Sequence, residues 1–355
     1  MVESSPRLLI AASGTGGHIF PALAVAECLP DWQIDWLGVP ERLEQQLVPA
    51  RYPLHVIPLS GFQQRLGLKT LVIAARFLQA VWTTRSLLKR QRCQAVFTTG
   101  GYIAAPAILA ARWLGIPTLL HESNAIPGKV TRWLAPYCQQ VALGFEAAAA
   151  YLPRAQTVWV STPVRQQFLS PQPLALPIPP DAPVIAVIGG SQGAVAVNQL
   201  VRQAAPDWFA AGVYVVHLTG DRDPDAQALA HPQYICLPFY DQMAALLQRA
   251  DLAVSRAGAG TLTELAVSRT PAMLIPYPYA ADDHQLYNAR AFQDAGAAYL
   301  YRQEALTASQ LAREVLQLLG DRAQLQQMAA RAASLAATDS AAQLAQLLQQ
   351  VTQVD

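Results

Sequence analysis

Short apolar runs bounded by glycine and proline alternate with longer amphipathic segments along most of the chain. An apolar run of four to six residues is buried on both faces in a parallel sheet, and the amphipathic segment after it supplies the covering helix. The pattern therefore predicts an α/β protein built from repeated βα units. One set of strands reads as 7–12, 33–37, 95–98, 118–121 and 140–143, and a second as 184–188, 213–217, 234–236, 251–254, 272–275 and 298–301. Between the sets, residues 170–181 (SPQPLALPIPPD) hold too much proline for a helix or a central strand, so the linker is expected at about 160–182. From Leu306 onward Ala, Leu and Gln recur at helical spacing, which predicts two or three structural helices.

Both sets open alike: a strand, a glycine turn, then a helix. The first turn is Ser13-Gly14-Thr15-Gly16-Gly17-His18 and the second Gly189-Gly190-Ser191-Gln192-Gly193-Ala194. Where a strand of a doubly wound sheet ends in such a turn, backbone NH groups and a helix N-terminus converge on an anion. Two doubly wound lobes facing each other across a cleft, each taking a phosphorylated ligand, are the expected consequence. The first turn carries Ile19 where the dinucleotide fingerprint needs its third glycine, so that class is excluded.

Composition narrows the class further. A chain of 355 residues, 52% of them hydrophobic, has the length of two domains and enough apolar surface to fold them. Cys28, Cys93, Cys138 and Cys236 are too far apart in sequence for a CxxC pair or a local zinc cluster, and read as core thiols in a reducing compartment. Met1 to Arg7 lacks the pattern of a secretory signal, and no run reaches the ~18 apolar residues of a membrane span. A cytoplasmic protein, soluble or peripheral to a membrane, is expected. Residues 1–160 carry 14 basic against 8 acidic residues (net +6), and the rest 11 against 16 (net −5). The first half is thus expected to face an anionic partner. Its basic charge is densest in 61–93, where Arg65, Lys69, Arg76, Arg85, Lys89, Arg90 and Arg92 stand with no acid among apolar residues that include Phe77 and Trp82. That mixture suits an anionic bilayer surface, although a core-facing amphipathic helix would share the spacing. Nucleic acid is not expected as a partner.

Candidate chemistry clusters at the strand ends. His18 sits at a helix N-terminus, whose dipole disfavours imidazolium and keeps a base available. Thr99-Gly100-Gly101-Tyr102 forms a second NH-rich turn, and His121-Glu122-Ser123-Asn124 a polar loop in which Asn124 suits a ligand hydroxyl, while a buried His-Glu pair would only prop the loop. Ser255-Arg-Ala-Gly-Ala-Gly-Thr-Leu-Thr-Glu264 opens a helix at 261–268. There Glu264 serves either as a capping carboxylate or as acceptor for a ribose diol. Asp221-Arg222-Asp223 has a metal-binding spacing, but its turn-rich setting reads as a solvated loop, so no catalytic metal is expected.

Taken in order, Gly14–Ala26, Thr99–Pro106, His121–Gly128, Gly189–Ala194 and Ser255–Ala266 resemble the MurG family of bacterial N-acetylglucosaminyltransferases, which convert lipid I to lipid II in peptidoglycan synthesis. The resemblance implies a GT-B fold of two Rossmann-like lobes. An acceptor and membrane-association domain would span 1–162 and a UDP-N-acetylglucosamine domain 163–337, with a helix at about 338–355 packing back on the first. It implies inverting transfer with no cofactor or metal, at the cytoplasmic face of the membrane. Thr15, Gly16, Gly17, Asn124, Arg165, Ser191, Gln192, Gly193, Glu264, His284 and Gln285 would meet the donor, with Phe239–Met243 flanking its uracil. Gly14, Gly100, Gly101 and Tyr102 would meet the acceptor or its diphosphate. His18 is the candidate base, and Arg165 with helix N-termini at 193 and 261 would stabilise the departing UDP. The chain departs from the family at Ser161-Thr162-Pro163, where Gly-Asn-Pro is common. A non-hydrolysing UDP-sugar epimerase and a catalytically dead membrane-bound regulator are the alternatives.

Overall fold

The computed structural model describes residues 5–40, 43–59, 68–190 and 193–353. The chain forms two compact units, one running to Arg165 and resuming at Asp339, the other Gln166–Thr338.

The first unit holds seven parallel strands: β1 (Arg7–Ala11), β2 (Gln33–Gly38), β3 (Leu54–Val56), β4 (Ala95–Thr98), β5 (Thr118–Glu122), β6 (Gln140–Leu143) and β7 (Thr157–Trp159), in the order β3-β2-β1-β4-β5-β6-β7. Its helices are α1 (Gly16–Glu27), α2 (Glu44–Leu47), α3 (Leu68–Gln91), α4 (Ala104–Leu114) and α5 (Lys129–Leu134). The second unit holds β8 (Val184–Ile188), β9 (Tyr214–Leu218), β10 (Tyr234–Leu237), β11 (Leu252–Ser255), β12 (Ala272–Leu274) and β13 (Ala298–Leu300), parallel in the order β10-β9-β8-β11-β12-β13. Around it lie α6 (Val195–Ala210), α7 (Met243–Arg249), α8 (Ala259–Val267), α9 (His284–Asp294), α10 (Ala308–Gly320) and α11 (Arg322–Ala333). The last helix, α12 (Ser340–Gln353), belongs to the first unit.

Alternation along β1 shows why a central strand must be apolar throughout. Leu8 and Ile10 enter one core with Ile19, Val25, Leu344 and Leu348 of α1 and α12; Leu9 and Ala11 enter the opposite core with Val81, Leu88 and Ile108's neighbours Ala107 and Ala111. Each such leucine, isoleucine or valine, withdrawn from water, contributes roughly 1.5–3 kcal/mol. The second unit repeats the scheme with Ile185 and Val187 against α6 and α10, where buried Trp208 also donates its Nε1–H to Ala312 O at 3.3 Å.

Strand order places the chemistry. In each sheet the direction of winding reverses between two neighbours, β1 and β4 in the first, β8 and β11 in the second. Ligands of doubly wound sheets bind outside the carboxyl ends of such a pair. The two edge strands β3 (LHV) and β7 (TVW) are not legible in sequence, because an edge strand is only partly buried and so carries polar residues where a central strand would be apolar throughout. Two helix starts differ from expectation by two residues: α6 begins at Val195 instead of 193 and α8 at Ala259 instead of 261.

Candidate functional site

At the first reversal point the turn after β1 meets the turn after β4. His18 Nδ1 lies 2.8 Å from Thr99 O, and Thr99 Oγ1 donates to His18 O at 3.0 Å. A carbonyl only accepts, so the Nδ1 proton is used there and the neutral ring keeps its lone pair on Nε2. That nitrogen faces glycine: a Cβ on Gly101 would stand 3.6 Å from Nε2, and one on Gly100 4.0 Å from Cε1. Gly100 and Gly101 have positive φ, +87° and +72°, which a side chain would strain as well as crowd. Thr15 is the exposed N-cap of α1, and Gly16 and Gly17 supply the first helical NH groups, which no intrahelical carbonyl can satisfy. Tyr102, expected to face a ligand, is half-buried and packs against the core of α3 and α4.

Gly14 requires a correction. Its NH donates to Glu44 Oε2 at 3.2 Å, while Glu44 Oε1 accepts from Ser13 Oγ at 2.6 Å and Val39 N at 2.9 Å. Glu44 is fully buried. The Gly14 NH is therefore already bonded to a carboxylate and does not await an anion. Nothing in sequence flags Glu44, which lies in a polar run resembling any solvated helix.

The loop after β5 is held by two separate anchors, with no pairing of His121 to Glu122. His121 Nε2 donates to Ser161 O at 3.0 Å, and burial pushes its pKa down to about 4, so the ring stays neutral. Glu122 accepts from Asn124 N and Nδ2 at 3.0 and 3.1 Å and from Gly128 N at 3.2 Å. The carboxylate thus orients the Asn124 amide. Ser161 has φ +65°, the left-handed region in which the family's usual glycine is unstrained. Arg165 follows shortly after, its guanidinium carbon 4.7 Å over the Phe20 ring of α1.

In the second unit the turn after β8 and the opening of α8 meet at the other reversal point. Gly190 and Gly193 take φ of +84° and +73°; Ser191 and Gln192 lie outside the described residues. Arg256, which sequence reasoning passed over, is buried at the opening of α8 against the loop after β12. It donates to Ile275 O and Pro276 O at 3.0 Å each and to Gln303 Oε1 at 2.7 Å, with burial bringing its pKa down to about 10. Gln285 Oε1 accepts from Ala257 N at 3.2 Å and Tyr277 N at 3.0 Å, so Gln285 ties the α8 opening to the loop after β12 before it meets any ligand. His284 caps the same loop, its Nδ1 2.8 Å from Ala281 O. Glu264 is the sixth residue of α8, past the first turn, so it is not a capping carboxylate. Phe239 is 68% exposed on the loop after β10.

Of 221–223, Asp221 and Arg222 are exposed turn residues as expected of a solvated loop, but Asp223 is not. It is buried, and Arg202 Nη1 and Asn198 Nδ2 each donate to its Oδ2 at 2.7 Å. The acid is an internal anchor.

Of the basic stretch, residues 60–67 with Arg65, and the side chain of Lys69, lie outside the described residues. On α3 Trp82 and Leu78 are 63% and 67% exposed, whereas Phe77 is half-buried against the core and is not available to insert. Trp113 of α4 and Trp133 of α5 are also exposed, and Arg85 of α3 stacks 4.4 Å over the Trp113 ring. No helix among the described residues is long and apolar enough to cross a membrane.

Residues 8–143 match the glycosyltransferase family 28 N-terminal domain and 184–346 the glycosyltransferase family 28 C-terminal domain. A relative from Microcystis aeruginosa named UDP-N-acetylglucosamine–N-acetylmuramyl-(pentapeptide) pyrophosphoryl-undecaprenol N-acetylglucosamine transferase is 62% identical over 355 residues, covering 100% of this chain and 99% of its own length. One of the same name from Rippkaea orientalis is 63% identical, covering 98% and 99%. Among solved structures, MurG of Acinetobacter baumannii superposes with a TM-score of 0.80 at 31% identity, covering 97% of this chain and 99% of that one. A putative UDP-N-acetylglucosamine 2-epimerase from Listeria monocytogenes reaches 0.72 at 13% identity over 98% and 97%, a likeness of fold alone.

Proposed function

The chain belongs to glycosyltransferase family 28, and from that membership we propose that it moves N-acetylglucosamine from UDP-N-acetylglucosamine to the 4-hydroxyl of the N-acetylmuramyl sugar of lipid I, giving lipid II. The observation that carries the reading is His18 at the first reversal point, its Nδ1 proton bonded to Thr99 O and its Nε2 lone pair turned to the glycine pair, in a chain matched end to end by relatives bearing that transferase's name.

The chemistry follows from charge. The acceptor hydroxyl oxygen attacks the anomeric carbon as its proton passes to His18 Nε2, and the bond from that carbon to the diphosphate oxygen breaks with inversion. The leaving UDP carries the electron pair. On this reading orphan NH groups at the start of α6 and α8 would stabilise it, Arg165 would contribute its positive charge, and Glu264 would accept the ribose hydroxyls. In the same reading Ser191, Gln192, Gly193, Asn124, His284 and Gln285 are donor-contacting residues, and Gly100 and Gly101 acceptor-contacting ones. Incubating the protein with labelled UDP-N-acetylglucosamine and a lipid I analogue should yield labelled disaccharide lipid. Conversion of the donor to its 2-epimer, with no lipid product, would assign the chain to the epimerases instead.

The exposed Trp82, Leu78, Trp113 and Trp133, among Arg76, Arg85, Lys89, Arg90 and Arg132, support docking of the first unit on the anionic cytoplasmic face of a membrane, where each basic side chain near the surface contributes about 1 kcal/mol. Vesicle flotation that ignores both anionic lipid and salt would remove this part of the reading.

A further inference from the structure

Gly193 closes the second glycine turn so tightly that a Cβ there would stand 2.3 Å from Thr219 O and 3.1 Å from Gly220 Cα. The turn rests on the backbone that follows β9, and is held no better than that backbone is. Thr219 and Gly220 donate their NH groups to Leu237 O and Pro238 O at 3.0 and 3.1 Å. From the opposite side Thr219 O accepts from Asn198 Nδ2 at 2.9 Å.

Asn198 is fully buried on the first turn of α6, and every partner dictates its orientation. Nδ2 donates both protons, one to Thr219 O and one to Asp223 Oδ2 at 2.7 Å. Oδ1 must then accept, and does so from His217 Nε2 at 3.0 Å, which leaves His217 Nδ1 to accept from Tyr234 OH at 2.7 Å. Burial, with the Arg202 charge adding to it, brings the His217 pKa down to about 3, so this relay keeps one direction at neutral pH. Arg202 fixes the far end through two contacts to Asp223, at 2.7 and 3.3 Å. A fully satisfied network of this kind specifies one arrangement, because turning any member leaves a buried polar atom unpaired.

We infer that Asn198 is a positioning residue for donor binding: by pinning Thr219 O it sets the seat on which the Gly193 turn and the N-terminus of α6 are presented to the donor diphosphate. The inference rests on the reading of the second unit as the donor site. It gives Asp223 a supporting role only, since that acid holds Asn198 without touching the turn.

Two substitutions separate positioning from plain stability. In Asp223→Asn the new amide oxygen still accepts from Asn198, so Thr219 stays pinned while Arg202 loses the nearer of its two carboxylate partners, Asp223 and Asp225. In Asn198→Ala the pin is gone. Calorimetric titration of UDP into the full-length protein, well below its melting temperature, should show about a tenfold or greater loss for Asn198→Ala and a change within about threefold for Asp223→Asn, the latter nonetheless melting lower. Should Asn198→Ala fail to fold, Asn198→Ser is held to the same threshold. UDP affinity unchanged in the Asn198 variant, or falling in both variants in step with melting temperature, would overturn the inference. Failure of the wild-type protein to bind UDP at all is a different result: it removes the donor-site reading beneath it.

Discussion

The two glycine turns look alike as sequence and are braced by opposite means. At the first, the Glu44 carboxylate takes the Gly14 NH and the Ser13 hydroxyl directly, so an anionic group already occupies one corner of the turn. At the second, the bracing group is the neutral Asn198 amide acting through the backbone at Thr219, and the charges of Asp223 and Arg202 offset each other one step further out. A turn with a built-in carboxylate is the poorer seat for a diphosphate and the better neighbour for a group that receives a proton. This fits the proposed reading, in which the first turn handles the proton and the second the anion.

The largest effect should come from removing the group the first turn presents. His18→Ala is expected to lower turnover by about 10² to 10⁴ while UDP affinity stays within about twofold. An equal loss of UDP binding would erase the division between the turns. Acid should distinguish the units next. His121 in the first and His217 in the second are both buried neutral, with pKa values lowered from 6.5 to about 4 and about 3. Below pH 6.5 the unfolded chain takes up protons that these folded sites refuse, so the stability they contribute is fully present above 6.5 and is lost as pH falls. Each pH unit costs about 1.4 kcal/mol per histidine, which amounts to about 3 kcal/mol for His121 by pH 4. His217 should go on losing stability down to pH 3. Imidazole Cε1 proton shifts followed against pH would check this, and a midpoint near 6.5 at either residue would contradict it. Glu264→Ala bears on the second turn's neighbour: UDP binding should weaken by about 1.5–3 kcal/mol. An unaltered calorimetric affinity would leave the ribose without its proposed acceptor. The smallest effect is a gain. Replacing Ser161, held at φ +65°, by glycine should stabilise the first unit by about 1 kcal/mol in urea unfolding, and a loss would mean that the serine hydroxyl matters more than the backbone.

Strands were legible because a buried parallel strand has to be apolar on both faces, and Leu8 to Ala11 satisfy that without tertiary information. The same reasoning found the glycine turns and His18. It could not find Glu44 or Asn198, because each acts across the sheet on residues whose proximity only the strand order creates; Asn198 meets Asp223 from 25 positions away. Asp223 was misjudged for a related reason. A turn-rich acidic run is solvated unless an arginine elsewhere neutralises it, and Arg202 does so from the middle of a helix. The departure at Ser161 was visible in sequence, but its meaning lay in a backbone angle.

The packing of α12 against α1 has a consequence for synthesis. Leu344, Ala345 and Leu348 complete the core that contains Leu8, Ile10 and Ile19, yet the ribosome makes them only after the whole of the second unit. At about 5–20 residues per second, the earlier strands wait many seconds with one apolar face covered by α1 but not yet by α12. The half of the molecule that carries His18 and the basic tryptophan face is therefore begun first and finished last. A premature stop before Leu344 would leave it with an open core, even where the second unit had already folded.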